Sequence, residues 1–94
     1  MLSELFEILQ DRKAHPRSGS YTCQLLSAGE DAILKKIGEE AMEVILAGKG
    51  QGDQRLIEEV ADLFYHTLVL LVSRNLRLAD IEAELARRHA GNKK

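Results

Sequence analysis

Gly38-Glu39-Glu40-Ala41-Met42-Glu43, then Gly48-Lys49-Gly50-Gln51-Gly52-Asp53, then Glu58-Glu59-Val60-Ala61-Asp62: two acidic clusters flank a glycine-rich turn that no helix sustains uninterrupted. Helices folded back on each other about Gln51 bring Glu43 opposite Glu59, each eight residues from the turn, and Glu40 opposite Asp62, each eleven. Four carboxylates then converge at one height on neighbouring helices. Like charges ~5 Å apart repel by about 3 kcal/mol at an effective dielectric of ~20. A chain holds such a group together most readily around a hard divalent cation.

The rest of the chain also reads as helical. Leu2, Leu5, Phe6 and Leu9 recur at helical spacing after Ser3, a plausible N-cap, and predict a helix over 3–13. The loop 14–20 carries Pro16, the only proline, and is followed by a short helical turn over 21–26. Ser27 and Glu30 have the spacing of a capping box for a long helix over 29–47, and Asp53 is placed to cap a second over 54–74. A break at 75–78, an amphipathic helix over 79–89 through Ile81 and Leu85, and a frayed tail at 91–94 complete the reading. No segment alternates as a strand would. The expected fold is all-α, a single domain over 1–94: a small bundle of four to five helices around a central antiparallel helix hairpin.

Leu63, Phe64, Leu68, Val69, Leu70, Leu71 and Val72 project in almost every direction from the second long helix. A helix apolar on all sides is buried on all sides, and 94 residues supply little cover. A homodimer, closing the hairpin into a larger bundle, is therefore expected.

Composition narrows the function classes. With 45% apolar and 30% charged residues the chain has a globular rather than a disordered composition. A net charge of −2 leaves no electrostatic footprint for nucleic acid. The most apolar stretch, 67–73, is far too short to span a membrane. Residues 1–9 hold two glutamates and no apolar run, so no signal peptide is read there. One cysteine, Cys23, permits no intrachain disulfide, and a cytoplasmic protein is the economical reading.

On the first long helix Glu43 and Lys36 fall about 60° and 40° from Glu40; on the second, Asp62 and His66 fall about 60° and 20° from Glu59. Both acidic stripes border an apolar face. A Glu-x-x-Glu spacing on a single helix is commonly a solvated face, whereas two halves in mirror register beside the core point to a built site. Four carboxylates with positions left open suit magnesium, which keeps several waters and shares its shell with substrate phosphates. The Glu-x-x-His motifs of a di-iron bundle are missing. Lys36 and Arg55 on the same stripes, and Arg17, are the basic groups read as phosphate contacts. His66, one turn after Asp62, is placed to hydrogen-bond a ligand carboxylate. Ser20, Tyr21 and Thr22 offer hydroxyls and N–H groups as a phosphate or ribose clamp would. Gly38 leaves room for substrate or a neighbouring helix.

Three runs carry a resemblance: Arg17-Ser18-Gly19-Ser20-Tyr21-Thr22; Lys35-Lys36-Ile37-Gly38-Glu39-Glu40-Ala41; and Asp62-Leu63-Phe64-Tyr65-His66-Thr67-Leu68-Val69-Leu70-Leu71. With the flanking residues they resemble the phosphoribosyl-ATP pyrophosphohydrolases of histidine biosynthesis, a branch of the all-α, MazG-like nucleotide pyrophosphohydrolases whose hallmark is EExxE followed by ExxD. The resemblance implies hydrolysis of the α–β phosphoanhydride of phosphoribosyl-ATP to phosphoribosyl-AMP and pyrophosphate. It implies magnesium held by Glu40, Glu43, Glu59 and Asp62, with Glu39 orienting the attacking water or reaching a second metal. Two other readings stay open: a relative acting on another (deoxy)nucleoside triphosphate, and a non-catalytic helical dimerisation module whose acids keep it soluble.

Overall fold

The structure, a computed structural model, describes residues 1–92. Five helices follow in order: α1 (Leu2–Ala14), α2 (Tyr21–Ala28), α3 (Glu30–Gly50), α4 (Asp53–Ser73) and α5 (Leu78–Asn92), with no strand among the described residues. The all-α bundle around a helix hairpin is the architecture expected. α3 and α4, each 21 residues long, form the hairpin and make the most extensive helix–helix contact. Only Gln51 and Gly52 join them.

The helix starts are made differently from the expectation. Ser27 lies inside α2, and Glu30 reaches the far end of the hairpin, where Arg74 donates to both its oxygens at 3.0 and 2.6 Å. No capping box forms. Gly29 occupies the α2–α3 junction with φ 103° and ψ 172°, and Gly52 the α3–α4 junction with φ 90° and ψ 163°. This region is open essentially to glycine alone. Each lets the chain turn from one helix into the next within one or two residues, so Asp53 is the first residue of α4 rather than its cap. Ser3 likewise lies within α1, whose first turn is held by the Met1 ammonium on Glu4 at 2.9 Å. α3 runs through Gly48 to Gly50, and Gly91 is still helical; the remaining expectation of a frayed tail falls on Lys93 and Lys94, outside the described residues.

α4 closes with a Schellman turn: Leu76 N–H donates to the Leu71 carbonyl at 2.9 Å and Asn75 N–H to that of Val72 at 3.1 Å, with Asn75 at φ 59°. Lys13 of α1 seals this end, donating to the Val72 carbonyl at 3.2 Å and to Asn75 Oδ1 at 2.7 Å.

The core sits at the end of the hairpin away from the turn. Phe6 and Leu9 of α1, Leu25 of α2 and Ile33 of α3 close over Leu68, Val69, Leu71 and Val72 of α4. Those four α4 residues, taken from the sequence as needing a partner, thus find cover within the chain. The hairpin is barer elsewhere: Met42, Ile45, Leu46 and Ile57 towards the turn, and Phe64 beyond the acids, are exposed, each by 46% or more. α5 packs only lightly, through Leu78 against the core.

A Cβ at Gly38 would meet nothing within 4 Å, so no neighbouring helix requires a glycine there. Gly29→Ala and Gly52→Ala are expected to lose about 1–3 kcal/mol each through backbone strain. Gly38→Ala, in a helix interior, is expected to gain up to ~1 kcal/mol. Urea unfolding of the three variants measures this, and equal stabilities would sink the assignment of the two junctions.

Candidate active site

Register brings the acids together. One oxygen each from Glu40 of α3 and from Glu59 and Asp62 of α4 lie within 4.8 Å of one another. Asp62 is exposed, Glu40 partly buried and Glu59 buried. Oxygen donors alone, from two rigid helices, suit a hard divalent cation. Glu43 stands outside this group of three, although its charge bears on both Glu59 and Arg55.

Cations answer the acids on both sides. The Lys36 ammonium lies 3.4 Å from a carboxylate oxygen of Glu39, which is half exposed. Burial pulls the Lys36 pKa down, but Tyr21, Glu40 and Glu39 outweigh it and hold the ammonium above its ordinary value. Arg55 donates through Nη1 to Glu58 Oε1 at 3.0 Å and through Nη2 to Glu59 Oε2. Arg17 is exposed in the loop before α2, where its backbone N–H reaches Cys23 Sγ at 3.3 Å.

Beside the acids lies a polar layer built around the buried His66 and Thr22. His66 Nδ1–H donates to the Asp62 carbonyl at 2.8 Å, since a carbonyl can only accept. Nε2 then accepts from the Tyr21 hydroxyl at 3.0 Å. His66 therefore braces the backbone beneath Asp62, not its carboxylate. Tyr65, unremarked in the sequence beyond its place in a run, stacks on Tyr21 at 6.2 Å, meets His66 edge-on at 5.0 Å, and shares a hydrogen bond with the buried Thr22. Local spacing held no signal for it, because its partner Thr22 lies 43 positions away. Ser20 caps α2, its hydroxyl accepting from Cys23 N–H at 3.2 Å. The hydroxyls of Ser20 and Thr22 are thus engaged within the fold.

Residues 2–89 match the phosphoribosyl-ATP pyrophosphohydrolase family. The chain belongs to that family. A phosphoribosyl-ATP pyrophosphatase of Clostridium acetobutylicum is 51% identical over 89 residues, covering 95% of this chain and 81% of the relative. One from Lactiplantibacillus plantarum is 53% identical over 87 residues, covering 93% and 82%. A histidine biosynthesis bifunctional protein of Gloeobacter violaceus is 52% identical over 87 residues, which make up 39% of its length. In this family member the acids that the hairpin gathers are those of its EExxE and ExxD runs, and no described helix is long and apolar enough to cross a membrane.

Burial pushes the Glu59 carboxyl above its ordinary value of 4.5; Arg55 pulls it back, while Asp62, Glu40 and Glu43 push it further up. A carboxyl whose pKa is higher in the folded than in the unfolded chain binds its proton better when folded, so ionising it weakens the fold. Its contribution is present below the unfolded value and lost as pH rises through the folded one. In metal-free buffer, Glu59→Gln is expected to be more stable than the unaltered chain at pH 7, with the advantage vanishing near pH 4. Denaturation curves at the two pH values measure this; an advantage that grows on acidification would contradict it.

Proposed function

We propose that this chain hydrolyses the α–β phosphoanhydride of phosphoribosyl-ATP, releasing phosphoribosyl-AMP and pyrophosphate, with magnesium held by Glu40, Glu59, Asp62 and, as fourth acid, Glu43. The observation that carries the reading is the convergence of three carboxylates from two helices, in a chain whose relatives carry this activity in their names. Bound there, magnesium would neutralise phosphate oxygens and acidify a bound water.

The chain's own groups supply the remaining steps. Glu39 is half exposed beside the cluster and accepts the proton of the attacking water. Lys36 keeps its charge, and it and Arg55 stabilise the negative charge gathering on the departing pyrophosphate. Arg17, on the loop ahead of α2, is the third phosphate contact. Tyr21, 46% exposed and bonded to His66, faces substrate, while Ser20 and Thr22 fix the start of α2 that presents it. His66 holds the Asp62 turn in place.

We further infer a homodimer of single-domain subunits in the cytoplasm. Large apolar side chains left exposed mark interaction surfaces when they gather, and Met42, Ile45, Leu46, Ile57 and Phe64 are all exposed on the two hairpin helices.

Glu40→Gln and Asp62→Asn are expected to lower magnesium-dependent pyrophosphate release from phosphoribosyl-ATP by at least about a hundredfold, since even indirect partners of a metal account for ~10–100-fold. Far-UV circular dichroism should remain that of the helical fold. Full activity in either variant ends the proposal, and a substrate panel that prefers a deoxynucleoside triphosphate redirects it. Sedimentation of the unaltered chain as a monomer at all concentrations would refute the dimer.

A further inference from the structure

Glu59 is the most enclosed of the three gathered acids, its side chain only 6% accessible, and among the described residues one cation touches it: the guanidinium of Arg55, one turn earlier on α4. The same guanidinium holds Glu58, and Glu43 faces it from α3. Lys36 serves Glu39 and Glu40 instead. The oxygen that Arg55 engages, Oε2, belongs to a carboxylate that a metal on the cluster would require. Both cannot hold it at full strength.

We propose that Arg55 is a resident counter-ion for the acidic cluster: it occupies Glu59 until a divalent cation displaces it, and the released fork then grips the phosphate chain of the substrate. The inference rests on the metal reading above and adds an ordered exchange to it. Arg55 is half exposed and sits in the first turn of α4 on a long, flexible stem, so it can swing from Glu59 without disturbing either helix. A planar guanidinium matches two phosphate oxygens as well as it matches a carboxylate. Metal and phosphate are coupled through one side chain: a cation on the acids frees the group that binds the anion. The same exchange protects the acidic cluster, because Glu59 without Arg55 would be a buried carboxylate beside three others.

The consequence is a pair of effects of opposite sign. Arg55→Gln is expected to bind Mn2+ alone about fivefold more tightly than the unaltered chain, the equivalent of a partly exposed ion pair no longer opposing the metal. The Mn2+-loaded variant is expected to bind pyrophosphate about tenfold more weakly, through loss of a charge-assisted contact. Electron paramagnetic resonance of free Mn2+ and competition with pyrophosphate measure the two. In parallel, the Arg55 side-chain 15N signals of the unaltered chain should shift with Mg2+ alone, at the midpoint of metal binding; this decides the question even if the variant does not fold. No Mn2+ binding by the unaltered chain at millimolar concentration overturns the metal reading and this exchange together. Metal binding that is unchanged or weaker in Arg55→Gln, or Arg55 signals unmoved at saturating Mg2+, overturns the exchange alone.

Discussion

Two helices of 21 residues joined by only Gln51 and Gly52 have almost no freedom in how their side chains meet. A longer loop would allow one helix to slide or rotate against the other, and each residue of slip turns a helix face by about 100°. The two-residue link excludes that. It forces residues at equal distance from the turn to the same height, and so sets Glu40 opposite Asp62, with Glu59 one helical turn before Asp62 reaching the same group, while Glu43, level with Glu59, stays outside it. That junction depends on Gly52, whose backbone conformation is closed to other residues, and Gly29 does the same where α2 meets α3.

Holding acids together against their repulsion requires a scaffold stiff enough to resist it. The structure separates the two tasks along the hairpin. Beyond the acids, away from the turn, Ile33, Val69 and Leu9 are essentially inaccessible, and Arg74 ties the end of α4 to the start of α3 through Glu30. The acids lie between this anchored end and the bare turn-proximal end. Their helices are fixed at one end by packing and at the other by the short link, so the carboxylates cannot relieve their repulsion by moving apart. Between acids and core, Tyr21, Tyr65 and His66 form a polar layer in which both nitrogens of the imidazole are satisfied.

Much of this was legible because it follows from spacing. The hairpin, its turn and the meeting of Glu40, Glu59 and Asp62 all come from counting residues outward from a glycine-rich stretch. Helix caps were misread for a physical reason. Ser27, Glu30 and Asp53 have capping chemistry, but a cap requires a non-helical backbone at its own position, and glycines at 29 and 52 took those positions in conformations that the other residues cannot adopt. The cover over α4 was misjudged because the period of one helix cannot show how α1 and α2 close over it. Pairings across the fold, such as Thr22 with Tyr65 and Tyr21 with His66, join residues more than 40 positions apart and leave no trace in local spacing. Arg55 with Glu59 was visible as an i, i+4 pair, yet spacing alone cannot say that the acid would be buried and the base exposed.

That asymmetry bears on how an acidic site takes an acidic substrate. Two exposed partners would trade their ion pair for water at little gain in either direction. Two buried ones would be locked by the penalty of stranding either charge. Here Glu59 is enclosed and Arg55 is half exposed, so separation leaves the guanidinium hydrated and needs a replacement cation only for the carboxylate. An exchange of the guanidinium for a divalent cation, as proposed above, would need only this one-sided release. Lys36 with Glu39 pairs on the other helix with the exposures reversed, the carboxylate more open than the ammonium. The acids thus carry their cations with them, and a phosphate chain entering beside a bound metal would meet positive groups already in place on both α3 and α4.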